Sequence, residues 1–79
     1  MKQVLTDIAR AIVDSPDSVV VAEREEGDTL FLELTVAADD MGKVIGKRGK
    51  IANAIRTVVK ATANRDNKRV VVNIVSDAE

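Results

Sequence analysis

The residues best suited to chemistry in this chain are Val44-Ile45-Gly46-Lys47-Arg48-Gly49-Lys50-Ile51. Two glycines bracket two cations, and aliphatic residues flank the run. Glycine permits backbone angles and close approaches that a side chain would block. A Gly-x-x-Gly turn can therefore bring main-chain N–H groups right up to a ligand. Lys47 and Arg48 at its tip suit an anion. A helix starting at Lys50 would aim its unpaired N–H groups and positive dipole end at the same spot. The stretch reads as a phosphate-backbone clamp. The bland alternative is a tight helix–helix turn with two solvated charges.

The charge distribution favours the clamp. The formal net charge is only −1, but the chain is electrically polarised. Residues 1–40 hold three cations (Lys2, Arg10, Arg24) against ten carboxylates. Residues 41–65 hold seven cations and no carboxylate: Lys43, Lys47, Arg48, Lys50, Arg56, Lys60 and Arg65. A basic block around a glycine turn attracts polyanions even when the total charge is near zero.

Composition removes several other chemistries. The chain has no cysteine and no histidine, so disulfides and the usual zinc or iron sites are not expected. The same lack leaves no customary base or nucleophile. Asp39-Asp40 reads as a dipole partner at a helix start rather than a catalytic pair. Gly42-Lys43-Val44-Ile45-Gly46-Lys47-Arg48 fails as a P-loop. It has one residue too few between its glycines, and an arginine where magnesium needs a hydroxyl. Seventy-nine residues predict a single domain over 1–79 with an aliphatic core, Phe31 being the one aromatic. The first residues read as neither a signal peptide nor a membrane span, so the expected location is the cytoplasm. No cofactor, metal or membrane is expected.

The elements that must position the glycine turn follow from periodicity. Leu5, Ile8, Ala9 and Ile12 mark an amphipathic helix over 2–14, ended by Pro16. Residues 18–25 and 29–36 predict an antiparallel hairpin turning at Gly27-Asp28. In its second strand Leu30, Leu32, Leu34 and Val36 alternate with Phe31, Glu33 and Thr35, and the leucine face should meet the helices. Ala37-Ala38-Asp39-Asp40 should open a short helix that runs to about Ile45, with Gly42 an unfavourable residue inside it. Tight packing or close approach by a ligand would each explain that glycine. Residues 50–63 read as the longest helix, with Ile51, Ile55, Val58 and Thr62 on one stripe, Ala54 and Ala61 beside it, and Asn64 as its C-terminal cap. Residues 68–75 predict a last strand, apolar on both faces. The order is α-β-β-α-α-β. The expected fold is α+β: a three-stranded mixed sheet, its second strand central, covered on one face by three helices.

This order, with Ile45-Gly46-Lys47-Arg48-Gly49-Lys50-Ile51 between its second and third helices, resembles a type II KH domain. The signature of that family is Ile-Gly-x-x-Gly-x-x-Ile. The match here is Ile45, Gly46 and Gly49, with Ala52 where the last aliphatic often stands and Ile51 one residue before it. Asp40-Met41-Gly42-Lys43-Val44-Ile45-Gly46-Lys47-Arg48-Gly49 and Ile55-Arg56-Thr57-Val58-Val59-Lys60-Ala61 more narrowly resemble the small bacterial single-KH proteins of the KhpA (YlqC) type. The resemblance implies binding of single-stranded RNA, with the loop on the sugar–phosphate backbone and about four bases in an aliphatic groove. Carried over to this chain, Gly46, Lys47, Arg48 and Gly49 would contact phosphates, and Lys43, Lys50 and Arg56 would add charge. Met41, Val44, Ile45 and Ile51 would line the groove, with Leu34 or Thr35 beside them. The resemblance also implies a homodimer, a complex with KhpB, RNA-chaperone activity and a role in cell elongation and cell-wall regulation. A competing reading is a protein-interaction or dimerisation module that no longer binds RNA. The two-sided last strand, with Val71 and Val75 on its second face, motivates it.

Overall fold

Pro16 sets the first boundary of the fold. The computed structural model describes residues 2–63 and 69–77. Helix α1 (Lys2–Ile12) stops two residues before the expected end. A 3₁₀ turn, Pro16–Ser18, follows it and uses the preset proline angle at its start. The N–H groups of Asp14 and Ser15 do not continue the helix, because both turn to the side chain of Asp40. Strand β1 (Val20–Glu26) therefore begins later than expected. It turns at Gly27, where φ is 61°, into β2 (Thr29–Val36).

Next come a 3₁₀ turn, Ala38–Asp40, then α2 (Met41–Ile45), the glycine loop and α3 (Lys50–Ala63). Strand β3 (Arg69–Ser76) closes the sheet. The sheet order is β1-β2-β3. Strand β1 pairs antiparallel with β2, with Val21 opposite Leu34 and Glu23 opposite Leu32. Strand β3 pairs parallel with β2, with Leu30 opposite Val70 and Leu32 opposite Val72. This is the mixed three-stranded α+β arrangement that the periodicity predicts. Asn64, the expected cap, lies outside the described residues.

The core sits between the sheet and the helices. Leu30, Leu32, Leu34 and Val36 of β2 are all buried, as are Val21, Val70 and Val72 of its neighbours. Leu5 and Ala9 of α1, Val44 of α2, and Ile55 and Val59 of α3 close over them. Each fully buried aliphatic side chain contributes about 1.5–3 kcal/mol relative to exposure. Among the described residues, no element covers the far face of the sheet. It carries Val20, Val71 and the half-buried Phe31, with the Arg24 guanidinium 4.8 Å from the Phe31 ring centre.

Candidate nucleic-acid interface

Helix α2 is only five residues long and ends where Gly46 takes φ 74° and ψ 178°. That φ excludes most side chains, and space excludes the rest: a Cβ on Gly46 would lie 2.6 Å from Cγ1 of Ile51. The Gly46 N–H donates to the Gly42 carbonyl at 2.9 Å, and the Gly49 N–H donates to the Gly46 carbonyl at 3.3 Å. Between them Arg48 stands in the left-handed region, at φ 57° and ψ 24°. Among the described residues it is the one non-glycine with positive φ. Such a backbone costs a residue with a side chain on the order of 1 kcal/mol or more, and this cost tends to collect at functional sites. Gly49 follows at φ 75°, in open space, so its glycine is required by conformation alone. Successive N–H groups at a turn of this kind form a concavity for anions. The Lys50 N–H donates to the Lys47 carbonyl, and α3 sets its positive dipole end directly behind the turn. The exposed side chains of Lys47, Arg48 and Lys50 surround the turn.

Two of the other expected cations are engaged. Lys43 donates to the Asp14 carboxylate and lies 3.5 Å from Asp40. Arg56 is half-buried, and its Nε donates to the Val72 carbonyl on the edge strand at 3.2 Å. The expected groove residues also divide. Val44 is wholly buried in the core, which leaves it no surface for a base, and Leu34 is buried likewise. Met41 is half-buried against the core. Thr35 lies in the central strand, pairing with Val20 and Val75. Ile45 and Ile51 keep exposed surface, 36% and 39%, on either side of the loop.

A family model described as KhpA/KhpB, KH domain, matches residues 2–74. The chain belongs to this family. Its relatives include a protein called RNA-binding protein KhpA from Clostridium acetobutylicum. It is 59% identical over 95% of this chain and 100% of its own length. Proteins with the same name from Clostridium perfringens and Caldanaerobacter subterraneus are 53% and 52% identical, each over 95% of this chain and 100% of the relative. A crystal structure of Era in complex with MgGDPNP and nucleotides 1506–1542 of 16S ribosomal RNA superposes with a TM-score of 0.59 at 18% identity. The match covers 95% of this chain and 29% of that one, and it shows a shared fold.

Two features of this KH domain were not legible as pairs in the sequence. The first is the carboxylate of Asp40, 1% exposed. It does not cap its own helix. One oxygen accepts the Asp14 N–H at 3.1 Å and the other the Ser15 N–H at 3.0 Å. Those donors, with the Lys43 ammonium, hold the Asp40 carboxyl below its ordinary pKa against the opposing effect of burial. The Asp14 carboxylate, and behind it Asp40, hold the Lys43 ammonium above the usual lysine value. The second is an apolar groove of about 470 Å³ between α1 and α3, lined by Ile8, Ile12, Ile51, Ala54 and Val58 with Lys50 at its margin. Its helical stripes were readable singly, but their juxtaposition was not.

Proposed function

We propose that this KH domain binds single-stranded RNA by clamping the sugar–phosphate backbone with Gly46, Lys47, Arg48 and Gly49. The observation that carries this reading is the loop itself. Three positive-φ positions within four residues, Gly46, Arg48 and Gly49 around Lys47, set two cations at the start of a long helix. The names of the KhpA relatives support RNA as the polyanion. Lys50 adds charge at the same place, while Ile45 offers aliphatic surface to bases. With Phe31 half-buried under Arg24, the base contact is aliphatic rather than a stack of aromatic rings. Lys43 and Arg56 join the interface only by leaving their present partners.

The same proposal places the protein in the cytoplasm as an RNA-chaperone-like factor. It acts as a homodimer and in a complex with KhpB, in cell elongation and cell-wall regulation. The second copy docks on the α1–α3 groove. There Ile12, Ile51 and Val58 are exposed side by side with little polar surface. The outer sheet face instead interleaves Val71 and Val75 with Arg24, Glu33 and Asn73.

The test replaces Lys47 and Arg48 with aspartate and leaves both glycines in place. Folding should be retained, while affinity for single-stranded RNA falls at least about tenfold. The slope of log affinity against log salt should flatten, since each neutralised phosphate contributes about −0.7. Unchanged affinity and slope in a folded variant would refute the clamp. The groove also favours a second reading, an interaction module without RNA binding. That reading prevails if neither wild type nor variant binds RNA and both self-associate.

A further inference from the structure

Helix α2 delivers Gly46, the first residue of the loop, yet five residues are too few to hold a direction unaided. Within the loop Gly46 bonds to Gly42 and Gly49 to Gly46, and at its far end the Lys50 N–H donates to the Lys47 carbonyl, which joins the loop to α3. The α2 end of that unit needs its own tie to the rest of the fold. Val44 and Met41 pack it against the core by apolar contact, which is non-directional. The polar tie is more exact. The buried Asp40 carboxylate, immediately before α2, divides its two oxygens between two adjacent N–H groups of the turn after α1. Lys43, one turn further on, pairs with Asp14 in that same turn and with Asp40. Two points one helical turn apart are thus tied to one short segment, the buried Asp40 carboxylate by two directional bonds and the more exposed Lys43 by a surface ion pair.

We propose that Asp40 is a positioning residue for the phosphate loop, orienting Gly46 to Gly49 by locking α2 onto the Asp14-Ser15 turn, with Lys43 as the second fastening. The functional half of this proposal rests on the RNA-clamp reading. A purely structural carboxylate would affect stability and nothing else. A positioning carboxylate controls the loop in protein that is still folded. Asp40 touches no part of the loop directly, so any effect there passes through α2.

The experiment uses Asp40→Asn in the full chain, at a temperature where circular dichroism shows it folded. The amide keeps one acceptor, but its NH2 faces the other backbone donor and its charge is gone. Two readouts are taken: the backbone amide resonances, and affinity for a short oligouridylate. The Gly46 and Gly49 amides should shift or split while those of Leu32 and Val72 stay in place, and affinity should fall by roughly fivefold or more. Unmoved loop amides, or unchanged affinity beside a wild type that binds, would overturn the assignment. If Asp40→Asn does not fold, Lys43→Gln decides by the same loop amides, since it leaves the buried acceptors in place. A wild type that fails to bind oligouridylate refutes the clamp reading instead, and the loop amides still judge the positioning role.

Discussion

The Cγ1 atom of Ile51 occupies the space a side chain on Gly46 would need, 2.6 Å from the position of its Cβ. The first residue of α3's apolar stripe thus closes over the first residue of the loop. At Gly49 the same added atom would meet nothing within 4 Å.

The two glycines should therefore differ on substitution. Gly46→Ala combines a strained φ with overpacking and should cost roughly 2–5 kcal/mol. Gly49→Ala pays for backbone strain alone, about 1–2 kcal/mol. Urea titrations measure both, and equal losses would show that Ile51 moves aside freely.

Gly42 should behave in the opposite way. A Cβ there meets nothing within 4 Å, and its φ is not positive. Packing therefore does not explain this glycine. Gly42→Ala should stabilise the fold by about 0.5–1 kcal/mol. If RNA lies against this face of α2, one turn before the loop, the same methyl group weakens RNA binding. Thermal melts and a binding titration on one variant check both halves.

The core predictions are direct. Leu32 is fully buried and Ile55 is 3% exposed. Truncating either to alanine should cost about 2–5 kcal/mol. In a chain this short that is a large share of the total. Melting curves identical to wild type would place these side chains outside the core.

Self-association separates the two apolar faces. The wild type should dimerise at micromolar concentration. Val58→Lys, in the α1–α3 groove, should sediment as the 8.5 kDa monomer. Val71→Lys, on the sheet, should still dimerise. The reverse pattern would move the interface to the sheet.

Stability should respond to pH at the extremes only. With no histidine in the chain, no side chain of ordinary pKa titrates between about pH 6 and 8. The folded pKa of Asp40 is depressed, chiefly by the Asp14 N–H. Its stabilisation is fully present above the unfolded value of about 3.9 and is lost as pH falls through the lower folded value. Lys43 is raised, chiefly by its bond to Asp14. Its contribution is fully present below about 10.4 and is lost as pH rises through the higher folded value. Melts of Asp40→Asn and Lys43→Met against pH should lose the acid and alkaline components respectively.

Local pattern alone determined much of this protein. Period-two alternation placed Leu30, Leu32, Leu34 and Val36 on one face of β2. Helical period placed Leu5 with Ala9 in α1; in α3 it marked Ile51, Ile55 and Val58, of which packing buries Ile55 alone and adds Val59 to the core. Two glycines around two cations marked the loop, and the family resemblance rested on that same stretch. Each of these signals lies within a few residues along the chain, so the sequence carries it directly. The tertiary structure decided what depends on how segments meet. A helix of five residues is too short for periodicity to choose its inner side, so only packing shows Val44 buried and Ile45 exposed. Asp40 reads as a helix-dipole partner until the fold brings Asp14 and Ser15, 26 and 25 positions away, within hydrogen-bond reach. That contact also ends α1 early and draws Lys43 away from the cations facing the loop. The α1–α3 groove likewise exists only once two separately readable stripes are set side by side. Side-chain type and spacing encode the faces of elements; the distances between elements are settled by the collective packing of the core.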